Sequence, residues 1–113
     1  FLNLLRHERR EVLYQVCLDG KGKLIMCKKL SEGTADSAAF SVRQVVENAL
    51  VADATRVVLA HNHVSGVALP SESDQIVTRR VRDALRAVEI TLMDHIIVAD
   101  DDFVSMNQSG FFR

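Results

Sequence analysis

The run Val57-Val58-Leu59-Ala60 constrains this chain more than any other feature. Apolar residues that do not alternate with polar ones describe a strand buried on both faces, in the middle of a sheet. On either side of that run the apolar spacing becomes helical. Val42, Val45, Val46, Ala49 and Leu50 recur at i, i+3, i+4, i+7 and i+8 and predict a helix over 38–52. Val77, Val81, Ala84, Leu85 and Val88 form one stripe of a second helix over 72–88. Residues 11–19 and 23–29 read as two strands joined by Asp19-Gly20-Lys21-Gly22, where glycine supplies the positive φ of a tight hairpin. Residues 1–10 read as a charged lead-in, the end of a helix. A strand over 91–99, the acidic turn Asp100-Asp101-Asp102 and a short strand from Phe103 to Met106 close the chain. This order of hairpin, helix, strand, helix, strand and strand predicts an α/β fold, a mixed sheet flanked by helices.

No repeat or linker divides the 113 residues, so 1–113 reads as one domain, and a start at Phe1 suggests a fragment of a longer protein. Hydrophobic residues at 48% and charged residues at 26% exclude a disordered chain. The formal net charge of −1 lacks the basic excess of a phosphate-gripping surface, so nucleic acid is not an expected partner. No apolar run approaches a membrane span and no leader is recognisable, so neither a membrane nor a signal peptide is expected. Cys17 and Cys27 are too few for a disulfide framework and read as buried small hydrophobes in a reducing cytoplasm. Arg79, Arg82, Asp83 and Arg86 read as the solvated, salt-bridged outer face of the second helix.

The chemistry concentrates where the central strand ends. Side chains two apart in extended chain project to one face, so His61 and His63 can aim two imidazoles at one point while Asn62 turns away. Catalytic zinc takes three protein ligands and keeps a fourth position open. Asp74, in the first turn of the second helix and on its sheet-facing stripe, is the candidate third ligand. Plainer readings exist for each residue. Histidines so spaced occur as polar edge residues, and Ser71-x-x-Asp74 is also a capping box, with Pro70 just ahead of the cap. The two roles of Asp74 are compatible, because a helix N-terminus stabilises a carboxylate. The tripeptide His61-Asn62-His63 is not the nuclease motif spelled the same way, whose residues come from separated positions. The HExxH zinc-protease helix is absent.

His61-x-His63, seven residues, Ser71, two residues and Asp74 match the JAMM pattern H-x-H-x7-S-x2-D without a gap. With Gly33-Thr34, Leu59-Ala60-His61-Asn62-His63, Ser65-Gly66, Pro70-Ser71, Asp94-His95 and Val104-Ser105, the chain resembles the RadC family from about residue 11 onward. That resemblance implies a cytidine-deaminase-like (JAMM/MPN) fold, and full-length members carry a helical N-terminal region as well. It implies zinc held by His61, His63 and Asp74, with Ser71 donating to the developing oxyanion. The implied reaction is hydrolysis of peptide or isopeptide bonds in a protein or peptide substrate. A glutamate would move the proton. The family carries a traditional DNA-repair label, to which a near-neutral domain lends no physical support.

The resemblance puts that glutamate four residues before Gly33-Thr34, where this chain has Lys29, and Val64 replaces a proline after the second histidine. Metal binding is expected to survive and catalysis to be weakened, with Glu32 as a substitute only if a bulge re-aims it. A non-catalytic zinc-binding interaction module is therefore the alternative. His95, beside Asp94, is expected to be a structural, hydrogen-bonded histidine, the alternative being a ligand histidine that Asp94 orients.

Overall fold

The computed structural model describes residues 10–32, 41–64, 67–100 and 102–111. Its elements are β1 (Val12–Leu18), β2 (Leu24–Glu32), α1 (Val42–Val51), β3 (Arg56–Asn62), α2 (Glu72–Ala87), β4 (Thr91–Ala99) and β5 (Asp102–Ser105). The five strands form one sheet in the order β2-β1-β3-β4-β5. Only β3 and β4 run parallel; the other neighbours are antiparallel. The apolar run therefore lies at the centre of the sheet, as its composition predicted. The 1–10 lead-in expected from the sequence lies almost wholly outside the described residues.

Local chemistry explains the turns and ends. In the hairpin, Asp19 Oδ1 accepts from the Lys21 and Lys23 amides, both at 2.9 Å, and Gly22 takes φ +82°. Strand β2 runs three residues further than expected, to Glu32, because Leu13 pairs with Ser31 while Tyr14 pairs with Lys29, leaving Leu30 as a bulge. The first helix spans Val42–Val51, and residues 38–40 of its expected range lie outside the described residues. Ser41 is still extended (φ −89°, ψ 127°), and its hydroxyl caps the helix by accepting from the Gln44 amide at 3.3 Å.

Leu13, Cys17, Val57, Leu59 and Leu92 present one face of the sheet to Val45 and Ala49 of α1 and to Val77, Val81 and Leu85 of α2. Both described helices therefore pack on the same face of the sheet. The central strand is nonetheless apolar on its other face, where Ala60 and Val98 are buried beside Tyr14 and Ile96. Fully buried side chains such as Leu59 and Leu85 contribute roughly 1.5–3 kcal/mol each, and they hold α2 against the sheet. A polar tie assists α1: Gln15 Nε2 donates to the Val45 carbonyl at 2.9 Å, and Gln15 Oε1 accepts from Asn48 at 3.0 Å.

Cys17 is buried and burial pushes its thiol pKa up, whereas Cys27 is exposed, because it lies on the edge strand β2. On the outer face of α2, Arg82 pairs with Asp83 at 3.2 Å. No helix among the described residues is long and apolar enough to cross a membrane.

Candidate metal centre

The antiparallel pairing of β1 with β3 sets Leu13 opposite His61, so the residue before β1 meets the residue after β3. That brings Glu11 beside His63. Glu11, His61 and His63 each present a donor atom, and the three atoms lie within 4.8 Å of one another. The helix α2 delivers Asp74. Its Oδ2 is 3.1 Å from His63 Nε2, and its Oδ1 is 3.9 Å from His61 Nε2. The two imidazoles stand edge to face, with centroids 4.5 Å apart and planes at 75°.

Each side chain is held from behind. The Ser71 hydroxyl accepts from the Asp74 amide at 3.0 Å, while Asp74 Oδ2 accepts from the Ser71 amide at 2.8 Å. The capping box and the carboxylate aimed at the histidines are therefore one structure, and Asp74 is only 1% exposed. His63 Nδ1 donates to the Val67 carbonyl at 3.1 Å, which leaves Nε2 to face Asp74. His61, 4% exposed, places Nδ1 3.1 Å from His95 Nε2, and His95 Nδ1 is 2.6 Å from Thr78 Oγ1.

Burial pushes the pKa of His61 down to about 4 and that of His95 down to about 3, so both rings are neutral near pH 7. Neutral imidazole is the form that ligates a metal. His63 moves the other way, raised by its hydrogen bond to Asp74. Burial raises the Glu11 carboxyl above the ordinary carboxylate value, which makes it a better proton acceptor near neutrality.

Glu11, His61 and His63 thus form one donor group, and Asp74 approaches the same two imidazoles; nitrogen and carboxylate donors together suit a divalent transition metal. The fit is also metric. Ligand bonds of ~2.1 Å in a tetrahedron put neighbouring donor atoms about 3.4 Å apart. The His63–Asp74 and His61–Asp74 separations of 3.1 and 3.9 Å lie on either side of that value.

The expected His61, His63 and Asp74 are brought together, and Ser71 stands at the cap beside them. Lys29 is elsewhere. Its pairing with Tyr14, after the bulge at Leu30, puts it on the sheet face away from the helices, and its ammonium sits 5.9 Å from the Tyr14 ring centroid. A carboxylate in that position would face away from the histidines. Glu32 ends β2 with its backbone opposite Val12; its side chain lies outside the described residues, as do Gly33-Thr34 and Ser65-Gly66.

Sequence reasoning missed Glu11. Its parity with Leu13, Gln15 and Cys17 was visible, but the pairing of β1 with β3 was not. Asp94 meets three donors other than the His95 ring. It accepts from the His95 amide at 2.8 Å, the Ser105 hydroxyl at 2.5 Å and the Asn107 amide at 3.0 Å, so it organises the β4–β5 end rather than the His95 ring.

A mixed α/β sheet with a His-x-His strand end, a helix-cap aspartate and a facing glutamate defines a compact domain of the JAB type. The chain belongs to the family described as the RadC-like JAB domain, which it matches over residues 1–111. Among its relatives are UPF0758 proteins of Photobacterium profundum, 45% identical over 96% of this chain and 48% of the relative, and of Vibrio cholerae, 45% identical over 96% and 49%. One from Ectopseudomonas mendocina is 44% identical over 95% of this chain and 48% of its own length. The chain therefore spans about half the length of the curated relatives it matches.

Proposed function

We propose that this domain is a zinc-dependent hydrolase of peptide or isopeptide bonds, with His61, His63 and Asp74 as ligands and Glu11 as the proton carrier. The observation that supports it most is that two carboxylates from different elements, with unlike surroundings, approach the same two imidazoles. Asp74 is buried, clamped by the Ser71 amide, and turned towards both histidines, as a ligand should be. Glu11 comes from the neighbouring strand, with a carboxyl raised by burial, as a general base should be.

Zinc bound there would polarise the scissile carbonyl and lower the pKa of the attacking water. Glu11 accepts that water's proton and returns it to the departing amine, so its carboxyl ends each turnover as it began. Ser71 has a hydroxyl hydrogen that its cap does not use, and it donates to the oxygen that becomes negative. Lys29 has no part in this scheme.

Metal analysis beside hydrolysis assays on quenched peptides and on lysine isopeptides tests the assignment. The parent should carry one zinc per chain. Asp74→Ala should lose it. Glu11→Gln should keep the zinc and lose cleavage by ~10²–10⁴-fold, while Lys29→Glu leaves cleavage unchanged. Loss of zinc in Glu11→Gln with retention in Asp74→Ala would exchange the two roles. Zinc content without any Glu11-dependent cleavage would favour a metal-binding module that does no chemistry.

A further inference from the structure

His95 is wholly buried in β4, and its two ring nitrogens reach two different side chains. Nε2 meets His61 Nδ1 and Nδ1 meets Thr78 Oγ1, at 3.1 and 2.6 Å. Thr78 Oγ1 lies 3.8 Å from Met106 Sδ, an atom that can only accept. This far end gives the row of contacts a direction. With the Thr78 hydroxyl hydrogen turned to sulfur, Oγ1 accepts the proton on His95 Nδ1. A neutral imidazole carries one ring proton, so His95 Nε2 is then a bare acceptor, and the contact requires the proton on His61 Nδ1. His61 Nε2 is therefore bare as well, and it faces Asp74 Oδ1 at 3.9 Å. That separation is beyond hydrogen-bond reach, so Asp74 does not require a proton on Nε2, and a cation placed between the two would be drawn by both.

We propose that His95, backed by Thr78, is a positioning residue for the metal centre: it holds His61 in the Nδ1–H tautomer and so presents Nε2 towards Asp74 as a ready ligand. The inference rests on reading His61 as a ligand. Run in reverse, the same contacts would put a proton on His61 Nε2, and binding would have to expel it. Partners behind a ligand histidine fix tautomer and ring orientation, and their loss typically weakens metal affinity by ~10–100-fold. Thr78, one turn after Asp74 on the buried side of α2, ties this support to the element that carries the aspartate.

Two measurements decide it. Long-range ¹H–¹⁵N correlation spectra of the metal-free ¹⁵N-labelled chain read ring tautomers without any metal, and should show His61 and His95 both protonated on Nδ1 alone. A proton on Nε2 of either ring would overturn the proposal. Chelator competition with Zn²⁺ should then show His95→Leu losing about 10–100-fold in affinity. His95→Gln, whose amide oxygen can accept from His61 Nδ1, should stay within a few-fold of the parent. Equal affinity in folded His95→Leu would overturn the positioning role while leaving the metal site intact. Should His95→Leu fail to fold, the tautomers of the parent chain still decide. Absence of zinc binding in the parent would defeat the ligand reading on which the proposal rests, and the tautomer spectra would record that separately.

Discussion

Asn62 stands between the two histidines and turns to the other side of the strand, where it grips the start of β1. Its Nδ2 donates to the Arg10 carbonyl at 2.7 Å, and its Oδ1 accepts from the Val12 amide at 2.6 Å. Those two peptide groups flank Glu11. One side chain therefore holds the backbone on both sides of the carboxylate that faces the histidines. Asn62→Ala should leave the buried Val12 amide unpaired, at a cost of ~1–3 kcal/mol in unfolding free energy. It should also lower turnover far more than zinc content, because Glu11 loses its anchor while His61, His63 and Asp74 keep theirs. Urea denaturation and metal analysis of the variant check both halves. A fall in zinc equal to the fall in turnover would place Asn62 behind the metal instead.

At the scale of the element, the first turn of α2 carries two tasks on the same atoms. Ser71 caps the helix and Asp74 closes the capping box, yet Asp74 also faces both histidines. The tasks separate by substitution. Gly is only a few tenths of a kcal/mol worse than Ser as an N-cap, whereas Ala costs ~1 kcal/mol. Ser71→Gly should thus retain nearly all the stability measured by denaturation and still lose hydrolysis by about 10²–10³-fold, the usual effect of deleting one oxyanion donor. Unchanged hydrolysis in Ser71→Gly would reduce Ser71 to a cap. The packing behind this turn keeps the test clean, since Val77, Val81 and Leu85 seat α2 on the sheet without help from the cap.

Across the whole molecule the charges nearly cancel, with 14 basic against 15 acidic residues. Salt-dependent attraction to phosphate grows with the number of cations that displace counterions, and here the arginines of α2 are interleaved with acids such as Asp83. Titration of duplex and single-stranded DNA at physiological salt should give binding no tighter than micromolar, weakening further as salt rises. Submicromolar affinity would point to a localised cationic surface that the overall charge conceals.

What the sequence determined by itself was local. Strand and helix periods, the His61-x-His63 spacing and the Ser71-x-x-Asp74 box depend on backbone geometry within a few residues, and all of them are found in the fold. His61, His63 and Asp74 were legible because one strand end places the two histidines and one helix cap places the aspartate. The rest depended on pairings between distant segments. Glu11 reaches the site only because β1 runs antiparallel to β3 in one particular register, and Lys29 leaves it because a single bulge at Leu30 sets the parity of its strand. His95 meets His61 only because β4 lies parallel to β3, and Thr78 joins them only because α2 packs on that face. A one-residue slip in any of these pairings would send the same side chain to the opposite face. Sequence periodicity reports which residues share a face, and only the tertiary pairing decides which faces meet.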